Sequence, residues 1–383
     1  MDRQHIIRPL CFFILAGFAV ILSVLSAATG SDHQQLSQAE SGRDLYEKAC
    51  AACHGSDGAG ASPSRVGFDT PLPDFTDCRF APREADTDWI AVTEKGGPAR
   101  AFERMMPAFG AALTIEQSQK ILDHIRTFCP DKTWPRGELN LPTPLFTTKA
   151  YPEDEAVLYA FADTEGRDRI AWELVYEKRL GARNQLEFIL PFGWSEQRMS
   201  RDGDTGWTSG LGDIGIGFKR VMFHSLESGS IVSLGGEVFF PTGDKDKDFG
   251  NDTTVVEPYL AYGQILPKDF FLHTQAGFAY PFDRDKLNEE VFLKVAVGRT
   301  FLTGRFGRSW SPMIEVLSSK ELTSGSEINW DLAPQLQVTL SRRQHVRLNL
   351  GFRVPMNNTD VRKVQFGAYL LWDWFDGGFF EGW

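Results

Sequence analysis

The chain is short of basic residues: 40 lysines and arginines stand against 51 aspartates and glutamates, a formal net charge of −11 over 383 residues. Binding polyphosphate needs a basic face, so nucleic acid is excluded as a partner. After residue 30 no apolar stretch has the unbroken length of a membrane helix. There is no P-loop, dinucleotide fingerprint or nucleophile motif, which points to a carrier more than a catalyst. Histidine is sparse, and His224, His273 and His345 show no metal-ligand spacing. Asp244, Asp246, Asp248 and Asp252 approach a calcium loop, but the glycine falls one place late and the closing glutamate is missing, so this reads as a solvated acidic loop.

The first 28 residues are of another kind. Arg3 and Arg8 precede an apolar run from Cys11 to Leu25, and Ser26-Ala27-Ala28 supplies the small residues of a cleavage site. Residues 1–28 read as a secretory signal peptide; the alternative, an uncleaved anchor, would want a longer run. Cys11 precedes the apolar core, where a lipoprotein cysteine would follow it. Export implies an oxidising compartment, in which the mature chain carries Cys50, Cys53, Cys78 and Cys129.

Cys50-Ala-Ala-Cys53-His54 is the strongest motif. Two thiols one helical turn apart each add to a vinyl group of one porphyrin, and the adjacent imidazole reaches the iron from the same side. A thioredoxin-type pair or half a zinc site would not explain the histidine. One covalent haem c is therefore expected on Cys50 and Cys53, with His54 as an axial ligand. Arg104-Met105-Met106-Pro107 offers the second axial ligand, and a thioether opposite histidine raises the reduction potential. Met106 is preferred to Met105 because it abuts Pro107, which favours an extended backbone. Packing in the core, the commoner fate of methionine, is the alternative. Helical spacing marks 38–50, 87–95 and 114–128, the last with Thr114 as N-cap and Ile115, Ile121, Leu122, Ile125 and Phe128 as one stripe.

In this order of parts, residues 40–130 resemble the small class I cytochromes c: a first helix, CxxCH, a Met-Pro loop and a closing helix. The resemblance implies His54 and Met106 as the axial pair. Cys78 and Cys129 are not required by that family; in an oxidising compartment the two leftover cysteines are expected to pair. The domain is placed at 38–130, followed by a proline-punctuated, extended linker at 131–154.

From 155 to 383 the period becomes two. Val346, Leu348, Leu350, Phe352 and Val354 alternate with Arg347, Asn349, Gly351 and Arg353; 272–280 and 364–372 behave alike. About twelve antiparallel strands are expected. Short connections near 180–183, 267–269 and 341–344 alternate with long ones at 195–208, 242–252 and 282–289, and Trp383 ends the chain on an aromatic. That is the outer-membrane β-barrel pattern, with a secreted sandwich as the alternative. Ser209–Arg220 and Gly235–Asp244 resemble the channel family labelled MetA-like phenol-degradation transporters, which implies a barrel without fixing its solute.

The expectation is thus a mono-haem cytochrome c fused to an outer-membrane, porin-like barrel. Its partners would be outer-membrane lipid and periplasmic redox proteins, with the cytochrome capping the periplasmic mouth. Arg347, Arg353 and Lys294 would face the lumen. A solute channel with a haem sensor and a cytochrome–porin iron oxidase remain the rivals.

Overall fold

The structure, a computed structural model, describes residues 40–163, 169–198, 205–247, 249–304 and 307–374. The signal-peptide reading at 1–28, Asp248 and Trp383 lie outside them. The chain divides into Met1–Glu40 and Ser41–Trp383, and the helices and strands of the described residues belong to the second unit.

Its first part is helical: α1 (Gly42–Ala49), α2 (Ala51–His54), α3 (Pro63–Val66), α4 (Asp86–Lys95) and α5 (Ile115–Ile125). α1 starts at Gly42, later than the sequence pattern suggests, because Ser41 takes the cap. Its hydroxyl accepts from the Asp44 N–H at 3.2 Å, and the Asp44 carboxylate accepts from the Ser41 N–H at 3.2 Å. Thr114 and Gln117 cap α5 in the same reciprocal way. The expected stripe on α5 is corrected at one position: Ile121, Leu122 and Ile125 are buried, but Ile115, in the first turn, is 57 % exposed. Leu45, Tyr46, Phe75 and those three α5 residues form the core, with Trp89 and Phe128 packed against it.

α1 crosses α5 at Gly42, where a Cβ would lie 2.0 Å from the Lys120 carbonyl oxygen. Gly42→Val must push the helices apart. A loss of at least ~1–3 kcal/mol is expected, read as a lower unfolding temperature of the cytochrome part. Cys78 and Cys129 form a disulfide across a sequence separation of 51, tying the segment after CAACH to the end of α5. Loop entropy gives this link about 4 kcal/mol. Mass spectrometry without reductant should find neither thiol alkylated; labelling of both would contradict the bond.

The second part contains β1 (Glu155–Asp163), β2 (Arg169–Leu180), β3 (Asn184–Arg198), β4 (Thr205–Leu211), β5 (Gly215–Ser225), β6 (Ser230–Phe239) and β7 (Val255–Ile265). It continues with β8 (Phe270–Pro281), β9 (Glu290–Arg299), β10 (Phe301–Thr303), β11 (Arg308–Glu321), β12 (Asn329–Thr339), β13 (Val346–Pro355) and β14 (Gln365–Asp373). β4 and β5 both pair with β3, and β9 and β10 both pair with β11, so each couple is one interrupted barrel strand. β1 pairs with β14 from Glu155↔Asp373 to Asp163↔Gln365 and closes the sheet. The result is a closed, antiparallel, twelve-stranded β-barrel.

Side chains along the wall settle sandwich against barrel. On β5, Lys219 and Val221 point inward and are buried, while Ile216, Phe218 and Met222 point outward at 42, 46 and 51 % exposure. Phe188, Leu234, Leu260, Ile314 and Phe352 are likewise exposed on the outer face. An apolar outside around a polar inside is the arrangement of a barrel in lipid. The turns segregate by end. Residues 181–183, 226–229, 266–269 and 340–345 make the short-turn rim; 240–247 with 249–254, 282–289, 322–328 and 356–364 lie at the other. The long loop expected at 195–208 is shorter, because β3 runs to Arg198 and pairs with Thr205 of β4.

The segment after the cytochrome is extended, but it does not stay outside. It enters the lumen, where inward side chains take the backbone hydrogen bonds that no strand supplies. The N–H groups of Thr143, Leu145 and Phe146 donate to Gln337, Gln335 and Glu315, each at 3.0 Å, and that of Thr148 donates to Gln275 at 3.1 Å. Leu139 packs with Val221, Ile231 and Tyr259, Leu141 with Phe271 and Met313, and Leu145 with Val157, Tyr369 and Leu371. Residues 139–151 are therefore a strap that dips into the lumen and returns, its two ends packed in one cluster with Val221 and Ile231.

Candidate haem site and its seat on the barrel

α1 and α2 meet at Cys50, whose backbone (φ −119°, ψ −36°) breaks the first helix and starts the second. The Cys50 carbonyl accepts from the Cys53 N–H at 3.1 Å and the His54 N–H at 2.9 Å, so both thiols and the imidazole sit on one helical turn. Gly55 (φ +75°) ends α2 in a conformation that suits glycine. The Tyr46 hydroxyl donates to the Gly55 carbonyl at 2.6 Å, anchoring this turn to the core. The His54 ring stacks on Phe75 at 4.8 Å, and Phe75 is backed by Trp89 at 5.1 Å.

The chemistry of these groups fits a covalent haem. Burial holds the His54 imidazole down at about 4, so at neutral pH it is uncharged, the form an iron ligand requires. Its Nδ1 is buried without a hydrogen-bond partner, as the site stands. Burial, with the neighbouring Cys53, pushes the Cys50 thiol up to about 11, and both cysteines are free thiols.

Met106 comes from a loop anchored to the end of α4. Its carbonyl accepts from the Gly97 N–H at 3.0 Å, and the Phe109 N–H donates to the Thr93 carbonyl at 2.8 Å. A Cβ on Gly96 would stand 3.0 Å from the Met106 oxygen, so the close approach of this loop depends on glycine. Met105 is 51 % exposed, whereas Met106 is half-buried. Arg126 fastens the far side of the domain: its guanidinium donates to Asp86 at 2.6 Å and to the Glu84 carbonyl at 2.7 Å, and lies over Trp89 at 4.9 Å.

The cytochrome part touches the short-turn rim. Arg83 forms an ion pair with Asp154 at 2.8 Å, and Asp154 also accepts from Lys178 at 2.7 Å. The Arg179 guanidinium stacks over Trp134 and Tyr151 at 4.9 and 5.1 Å. Arg183 and His224 both donate to the Thr133 carbonyl, at 3.4 and 3.2 Å. On the opposite side Arg343 lies 4.5 Å over Phe102. Sequence pattern did not mark these contacts, most of which lie in turns and the linker, nor the strap's partners Gln275, Glu315, Gln335 and Gln337, whose only signal was their place on the polar face of a strand. Inside the wall, Arg347 is bound to Asp373 at 3.2 Å and Arg353 to Asp331 at 2.7 Å, while Lys294 lines a cavity. The acidic 244–252 loop holds no metal-ligating group among the described residues; Asp244 pairs with Lys247 and Asp252 with Lys286.

Residues 37–125 match the family described as Cytochrome C oxidase, cbb3-type, subunit III, and residues 160–341 match the family described as Putative MetA-pathway of phenol degradation. No curated protein matches the chain. Among solved structures, the COG4313 outer membrane channel from Pseudomonas putida F1 is similar at 14 % identity and TM-score 0.44, over 61 % of this chain and 100 % of its own. The KdgM porin in complex with disordered oligogalacturonate is similar at 10 % identity and TM-score 0.37, over 57 % and 99 %. The NanC porin is similar at 8 % identity and TM-score 0.39, over 57 % and 98 %. The two family matches fall one on each part of the chain: the helical part is similar to a cytochrome c-type domain, and the closed, apolar-faced β-barrel joined to it is similar to the MetA-like family.

Proposed function

We propose that this protein carries electrons at the periplasmic face of the outer membrane, and that its barrel serves as an anchor closed by the strap. The observation that carries this reading is the path of residues 139–151. They fill the short-turn half of the lumen and leave the cytochrome on that same rim. Short turns are the periplasmic end of an outer-membrane barrel, which supports a haem domain facing the periplasm. The barrel's lipid-facing band is ~25 Å tall, and the chain has one CxxCH to work with, so electrons from outside would have no second haem to pass through.

In this reading Cys50 and Cys53 hold one haem through thioether bonds, His54 supplies one axial ligand and Met106 the other. The haem supplies one-electron redox chemistry. The chain does the rest: Phe75, backed by Trp89, covers the imidazole, Gly96 and Gly97 fix the Met106 loop, and Arg83 with Arg179 seats the domain on the barrel. Partners would be periplasmic redox proteins.

Denaturing gels stained for haem, with the intact mass, test the attachment. The mature chain should carry the mass of one haem, and Cys50→Ser with Cys53→Ser should abolish the stain. Stain that survives the double substitution would reject this site.

A further inference from the structure

Five glutamates stand in one row across the inner wall of the barrel. Glu155 on β1 is the direct cross-strand partner of Glu177 on β2, and Glu177 is the partner of Glu187 on β3. Glu187 opposes Gly217 on β5, which opposes Glu237 on β6, which opposes Glu257 on β7. Gly217 leaves room for its neighbours: a Cβ there would lie 3.1 Å from Glu187 and 3.2 Å from Glu237. Like charges directly opposite one another destabilise a sheet, and ionisable groups inside a membrane span are costly. Packing gives no reason for such a row.

The row faces a cavity of about 210 Å³ that strap residues 143–149 also line. Its lining includes all five carboxylates and Glu173, against the ammonium groups of Lys149 and Lys294, with Tyr159, Phe239 and Tyr259 between them. Lys149 is already engaged, with Glu153 at 2.6 Å and Glu155 at 3.4 Å. Lys219, also on the inner face, donates to the Lys149 carbonyl at 2.9 Å. Glu177 is 9 % exposed, lines the cavity, and its Oε2 is buried with no hydrogen-bond partner. A second cavity of about 370 Å³ shares Phe146, Phe161 and Glu173 and reaches Asp163 and Gln365, at the long-loop ends of β1 and β14. The row is therefore approached from the long-loop mouth and backed by the strap.

We propose that this row is a binding site for a linear aliphatic polyamine. Neighbouring strands are about 4.8 Å apart, so Glu155, Glu177 and Glu187, and again Glu237 and Glu257, stand one strand spacing apart with a two-strand gap at Gly217, and ammonium groups linked by three or four methylenes can follow each run. The tyrosines and Phe239 face the methylenes and add cation–π attraction. The carboxylates are strung along a wall and form no metal-ligating cluster among the described residues, which favours an extended organic cation over a directly coordinated metal ion. The site does not depend on the haem or on which way the electrons flow.

Calorimetric titration of the full haem-loaded protein in detergent tests it, with spermidine as the probe and magnesium chloride at matched ionic strength as the second arm. Spermidine should bind saturably, and magnesium at least about tenfold more weakly. Glu177→Gln with Glu237→Gln removes two charge-assisted contacts and should weaken spermidine by more than about tenfold. The loop pair Asp244→Asn with Asp246→Asn should leave it unchanged. If the double glutamine variant loses heat-modifiable gel migration, and so its barrel, Glu257→Gln alone should still weaken binding about threefold or more. No saturable spermidine binding, equal affinity for magnesium, or glutamine variants that fold and bind like the parent would each overturn the proposal.

Discussion

Removing residues 40–150, so that residues 1–39 lead directly into the barrel, is expected to turn an electrically silent protein into a conducting one. The strap's Thr143, Leu145, Phe146 and Thr148 are bonded to four lumenal side chains, and its leucines pack on the inner wall. Barrel closure does not use them: β1 and β14 pair through their own backbones over nine residue pairs. The truncated chain should therefore keep a closed barrel and heat-modifiable migration while losing its plug. In planar bilayers the parent should stay at baseline and the truncated form should show resolvable steps. A conducting parent would reject the strap as a plug. A silent truncated barrel with native migration would show that the wall alone closes the lumen.

The second large effect is expected at the iron. Met106→Ala should abolish the methionine-to-iron charge-transfer band and lower the reduction potential, by something on the order of 0.1 V given the range that axial ligands command. Met105→Ala should change little. Met105 is 51 % exposed, while the Met106 backbone is tied to Gly97 and its side chain is the better covered. If Met105→Ala is the damaging substitution, the register of this loop is wrong.

The elements that were legible in the sequence share one property: a local pattern with a single physical solution. CAACH needs one helical turn. Thr114 followed by Gln117 is a cap that the structure uses. Alternation at 346–354 and 272–280 marked strands, and the lengths of the turns marked a barrel. The boundary errors are of a kind too. Ile115 fits the apolar stripe by count but falls in the first turn, before the helix meets its partner.

The strap was hidden for a different reason. Prolines 135, 142 and 144 announce extended chain, and an extended chain reads equally well as a solvated tether. What places it in the lumen is distributed over Gln275, Glu315, Gln335 and Gln337, more than 120 residues downstream. Each is an ordinary inward polar residue on its own strand. The glutamate row was hidden in the same way, since it exists only once six strands are in register.

The most direct test of the whole account is access to the haem in intact cells. A membrane-impermeant reductant, added to cells expressing the protein, should leave the haem oxidised. The same reductant should reduce it at once after the outer membrane is permeabilised. That result places the haem behind the barrel, with periplasmic partners. Immediate reduction in intact cells would contradict the account: it would put the haem within reach of external donors and favour the iron-oxidase reading.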